Sequence, residues 1–107
     1  MDQNRVMRAR VRLLGTDRRV FRGPDALAVY RLLTQVEPEV HGSKLAYVLV
    51  EAARSHQVRD LPERRLALLE EAVAVASALG EANPYREKML TRALDARRQE
   101  LDRHRAS

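Results

Sequence analysis

The chain has 107 residues and a mass of 12.2 kDa, room for one domain and not for two. Hydrophobic residues at 45% and charged residues at 33% exclude a chain-long disordered tail and a membrane-embedded protein, and the absence of cysteine excludes a disulfide framework or a thiolate metal site. The net charge of +5 sits wholly in residues 1–22, where seven arginines face Asp2 and Asp17, while residues 23–107 balance thirteen basic against thirteen acidic side chains.

The basic segment carries its own pattern. Met7, Ala9, Val11 and Leu13 alternate with Arg8, Arg10 and Arg12, the period of two that marks a half-buried strand. Gly15-Thr16-Asp17 supplies a turn, and Val20-Phe21 a short return strand before Gly23-Pro24. Residues 1–23 are thus expected to form a basic strand, hairpin or arm, and residues 24–107 a helical domain. A lone hairpin is marginal in water, so this one is expected to pack on the helices or on a second copy.

Four helices follow in the pattern. The first runs from about Pro24 to Glu37, with Leu27, Tyr30, Leu33 and Val36 at three-residue steps and Pro38 barring its continuation. Gly42 punctuates, and Ser43 is placed to cap a second helix reaching about His56, whose broad apolar side includes Leu45, Val48, Leu49, Ala52 and Ala53. Asp60-Leu61-Pro62-Glu63 reads as a capping box opening a third helix that Gly80 stops. Its apolar side runs through Leu66, Leu69, Val73 and Ala76 and is widened by Leu68, Val75 and Leu79, with Glu70 and Glu71 on the solvated side. Asn83-Pro84 opens a fourth helix to about Arg103. Short connections favour antiparallel neighbours. The expected fold class is therefore mostly α: a four-helix antiparallel array or bundle with a short basic N-terminal β-hairpin-like segment.

An internal echo supports an array. Asp25–Pro38 lies on Glu71–Pro84 without a gap, at a spacing of 46 residues, and Ala26, Ala28, Val29, Leu33 and Pro38 match Ala72, Ala74, Val75, Leu79 and Pro84. The first copy resembles the second helix of a tetratricopeptide repeat in its small Ala26, aromatic Tyr30 and closing Pro38, and Leu45-Ala46 fits the helix that follows. Gly42 and Leu49 depart from the large aromatic and the tyrosine of that family, Leu33 is larger than its alanine, and the spacing exceeds its 34 residues. The resemblance covers about one and a half units, from Pro24 to Arg103. It implies stacked helical hairpins that bind peptides or other proteins. Solenoids normally stack three or more units, so a chain this short closes on itself or completes its stack through another protomer.

Catalytic chemistry finds little in the sequence. His41, His56 and His104 lie far apart and pair with no second ligand at helical metal spacing, so neither a metal site nor a cofactor is expected. Gly42-Ser43-Lys44 lacks the order of a phosphate loop. Arg98 and His104 stand at a spacing that resembles the arginine–histidine motif of HEPN ribonucleases, in which the two residues meet across a dimer interface and act on RNA. Gln99 departs from that pattern, and an exposed C-terminal turn is the better reading of the pair.

The expected function is a non-enzymatic protein–protein interaction or assembly module, self-associating as a homodimer. Its expected interface is Leu68, Val75 and Leu79, joined by Met7, Val11 and Leu13. The alternative is a nucleic-acid-binding regulatory protein that holds DNA or RNA through Arg8, Arg10, Arg12, Arg18 and Arg19, because guanidinium forks match phosphate oxygens. The ribonuclease reading through Arg98 and His104 stands outside both. The longest apolar run, Leu45–Val50, is too short to span a bilayer and no signal peptide is visible, so a cytoplasmic protein without membrane contact is expected.

Overall fold

The computed structural model describes residues 25–106, and the expected N-terminal strand and hairpin lie outside them. The described residues form α1 (Ala26–Val36), α2 (Pro38–Ala53), a short 3₁₀ turn (His56–Val58), α3 (Pro62–Ser77) and α4 (Arg86–Ala106). The mostly α reading and the four helices hold. There is no strand among the described residues.

Two prolines set the joints. Pro38 and Pro62 each occupy the first turn of a helix, where no backbone donor is needed, and each forces the residue before it out of the helical region. Glu37 (φ −135°, ψ 74°) and Leu61 (φ −122°, ψ 72°) accordingly share one conformation. Glu37 is the entire connection between α1 and α2: its N–H donates to Leu33 O at 2.9 Å, and its carbonyl accepts from Val40 and His41 at 3.1 Å each.

This joint corrects the sequence expectation for the second helix. It starts at Pro38, so Gly42 and Ser43 lie inside α2 and Ser43 caps nothing. Gly42 leaves room for a close neighbour: a Cβ there would lie 2.8 Å from Leu79 Cδ2. The glycine is a contact point between α2 and the end of α3, not a break. Asp60 is corrected likewise, since Pro62 makes Leu61 the residue that precedes α3 and no side chain caps it. Asn83 does act near the start of α4, where its Oδ1 accepts the Tyr85 N–H at 3.0 Å.

The helices form an open array. Helix α2 packs against α1 on one side and α3 on the other, α3 packs on α4, and α4 also touches α2, whereas α1 makes no substantial packing with α4. Tyr30, Leu33, Leu49 and Val50 are the largest fully buried side chains, so the core centres on α1 and α2. Arg92 stacks on Tyr47 at 4.7 Å from the ring centroid, tying α4 to α2. At one end Glu39 clamps the α3–α4 loop: Gly80 N–H donates to its Oε1 at 2.6 Å and Asn83 Nδ2 to its Oε2 at 2.9 Å. These two donors hold the Glu39 carboxyl below the ordinary carboxylate range, Asn83 contributing more.

The internal echo maps onto similar burial at most of its positions, Val29 being buried and Val75 half-buried. Ala26 and Ala72 are both buried, Leu33 and Leu79 are both buried, and Ala28 and Ala74 are both exposed.

Candidate functional site

Three surfaces carry the features that sequence reasoning singled out or that chemistry marks. The first is a groove between α1 and α3, floored by α2. It has two depressions, of about 290 Å³ and about 240 Å³. Leu27, Val58 and Leu68 line the larger, and Thr34, Gly42, Val75 and Leu79 the smaller. The expected interface residues Leu68, Val75 and Leu79 are thus brought to one groove. Leu79, however, is only 4% exposed and serves chiefly the chain's own packing. Met7, Val11 and Leu13 lie outside the described residues.

An ion pair crosses this groove at the wall of the larger depression. Arg31 donates through Nε to Glu71 Oε2 at 2.9 Å and through Nη2 to Oε1 at 2.6 Å. The hydrogen bond to Glu71 raises the Arg31 pKa above its ordinary value. Glu71 was expected on a purely solvated face; the fold corrects this by setting α1 beside α3. Thr34 Oγ1 is buried beside the smaller depression with no hydrogen-bond partner among the described residues, a polar anchor on an otherwise apolar wall.

The second surface is the outer side of α4. Leu90 is half-buried, and Leu94 and Leu101 are each 38% exposed. Steps of four and seven residues put these three on one stripe of the helix. That stripe flanks the line of Met89, Ala93, Ala96 and Glu100, which faces the core, and its first member Leu90 packs partly against Ala46, Ala76 and Met89.

Glu100 anchors the third. It continues the buried line of α4 at 3% exposure, and a carboxylate there requires partners. Arg65 Nε and Nη2 donate to its two oxygens at 2.9 and 3.0 Å, and His104 Nε2 lies 3.0 Å from Oε2. The Arg65 fork holds the Glu100 carboxyl below its ordinary range against the opposing effect of burial, and the Arg65 pKa is raised in return. Through Nη1, Arg65 also donates to the carbonyls of Val58, at 3.0 Å, and Arg59. One side chain therefore joins α3, α4 and the 3₁₀ turn. A cleft of about 380 Å³ opens over this cluster, with Arg54, Arg59 and Arg103 at its rim. Sequence reasoning missed it, although Glu100 falls in register with the apolar line of α4 and is the signal that could have found it.

The remaining expected residues are not assembled into a site. Arg98 is exposed and lies 3.6 Å from Asp95, while His104 turns to Glu100; within one chain the two are not brought together. Arg8, Arg10, Arg12, Arg18 and Arg19 lie outside the described residues. Among the described residues no cluster of metal-ligating side chains occurs, and no helix is long and apolar enough to cross a membrane. No family model, curated protein or solved structure matches the chain.

Proposed function

We propose that this chain is a non-enzymatic protein–protein interaction and assembly module, built like a truncated tetratricopeptide stack, that self-associates as a homodimer. The observation that carries this reading is the stripe of Leu90, Leu94 and Leu101 on the last helix of an open array. Each inner helix of the array is covered on two sides, but α1 does not return to cover α4. A second copy offers that cover. In an antiparallel pairing of two α4 helices, the Leu90 end of one meets the Leu101 end of the other, and Glu87 comes within reach of Arg105. The α1/α3 groove then stays open for an apolar segment of a partner protein, with Thr34 as its polar contact.

Sedimentation velocity over a range of concentrations tests the proposal. The unaltered chain is expected to sediment as a dimer in the micromolar range, and Leu94→Glu with Leu101→Glu as a monomer of unchanged helicity. A strict monomer at high micromolar concentration overturns self-association.

A further inference from the structure

The cleft over Glu100 has two kinds of lining. Its floor is apolar, built from the buried Ala53, Leu69 and Ala96 of α2, α3 and α4. Its rim is cationic: Arg54 lies just past the end of α2, Arg59 in the loop after the 3₁₀ turn and Arg103 in the last turns of α4. Three separate parts of the chain thus bring guanidiniums to one concavity. The exposed His56, at the start of the 3₁₀ turn, lines it as well.

The charges in the cleft do not cancel. Glu100 is the carboxylate among its lining residues, and that group is already committed: its side chain is 4% exposed, and Arg65 and His104 engage both oxygens. Asp60 stands near enough to reinforce the charge on Arg65. Arg65 is committed in its turn, to Glu100 and to the carbonyls of Val58 and Arg59. The rim guanidiniums are not. Arg54 and Arg59 are exposed and form no ion pair among the described residues, and Arg103 approaches Glu100 only at 3.6 Å with its side chain 68% exposed. Three cationic forks therefore border a concave surface, where low-dielectric walls focus their field.

We propose that this cleft binds a small organic phosphate monoester, its phosphate held by the Arg54–Arg59–Arg103 rim and its apolar body laid on the Ala53–Leu69–Ala96 floor beside the His56 ring. Three features select this class. A dianionic phosphate offers three terminal oxygens to three guanidiniums, whereas a carboxylate has two oxygens and one charge. The volume of about 380 Å³ lies near the lower end of the roughly 300–1,000 Å³ of small-molecule sites. The apolar floor gives an organic ester a burial gain that inorganic phosphate lacks. Arg65 is a positioning residue: it ties the 3₁₀ turn and α4 to α3 and so sets where the rim stands. None of these residues belongs to the α4 stripe, and the binding does not depend on self-association.

The experiment titrates phenyl phosphate into the full chain and follows the backbone amide resonances, with inorganic phosphate and benzoate as comparison probes. Shifts are expected to concentrate at residues 53–59 and 96–103, with phenyl phosphate binding roughly tenfold more tightly than either comparison probe. Arg54→Gln/Arg59→Gln is expected to weaken phenyl phosphate by roughly tenfold. Lys44→Gln/Lys88→Gln, which removes equal charge from the far halves of α2 and α4, is expected to leave its affinity unchanged. Both variants are expected to keep the unaltered chain's circular dichroism. No shifts at millimolar phenyl phosphate, shifts spread evenly over the surface, or equal losses in the two variants overturns the site. Inorganic phosphate binding as tightly as phenyl phosphate overturns the organic ligand, leaving an adventitious ion only. Benzoate binding as tightly overturns the phosphate, in favour of a carboxylate.

Discussion

Single residues in this fold work as contacts between distant parts of the chain. Gly42 is one: it lets Leu79 approach α2 more closely than any side chain permits. Gly42→Ala gains about 0.8–1 kcal/mol of helix propensity, which offsets a small shift of a flexible leucine tip, so its stability is expected to stay within about 1 kcal/mol of the original. Gly42→Leu overfills the contact and is expected to cost about 1–3 kcal/mol, with Leu79→Ala restoring part of the loss; urea unfolding of the three variants checks this. Arg65 and Glu100 are another such contact. Arg65→Leu strands a buried carboxylate, so it is expected to destabilise the protein more than Arg65→Leu/Glu100→Leu together. The reverse order of melting temperatures would show that the pair is not coupled. The pH dependence follows from the same geometry. Glu100 and Glu39 both have carboxyls held below their ordinary value of 4.5, so their contribution is complete above that value and lost as pH falls through the lowered folded values. Melting temperature is expected to fall on acidification below about pH 4.5, and less steeply in Glu39→Gln.

At the level of elements, the apolar spacing on each helix made all four helices legible from sequence, as were the proline joints that separate them. The beginning of α2 was not, because Gly42 followed by Ser43 has the local chemistry of a break and a cap. The close approach of Leu79, from 37 positions further along the chain, is what a glycine inside the helix accommodates. The Asp60 cap failed for a related reason: the pre-proline restriction at Leu61 decided where α3 begins. The groove residues Leu68 and Val75 were found because they widen an apolar face beyond what a core needs. The Arg31–Glu71 strap and the Arg65–Glu100 pair join residues 40 and 35 positions apart, and no local pattern encodes which residues meet over such distances. Among the elements, α1 has the fewest neighbours. It packs on α2 and is linked to α3 chiefly through the half-exposed Arg31–Glu71 pair. Its amides are expected to exchange faster than those of α2, and hydrogen exchange read residue by residue tests that order.

For the whole molecule, the opening charge figure resolves into two parts. Residues 1–22 hold the net excess, and the nominally neutral remainder gathers Arg54, Arg59, Arg65 and Arg103 around one cleft. The apolar surface has its own asymmetry, since α4 packs on α3 and α2 yet leaves Leu94 and Leu101 exposed. Cover of α4 by a second copy is the central claim, and the absence of cysteine makes it directly measurable. Single cysteines at Leu94, on the α4 stripe, and at Ala74, on the exposed side of α3, allow mild oxidation to report which surface meets its own copy. The expected result is rapid, concentration-dependent formation of a covalent dimer by Leu94→Cys and little by Ala74→Cys. Efficient cross-linking through position 74 alone, or through neither position, would contradict assembly through α4.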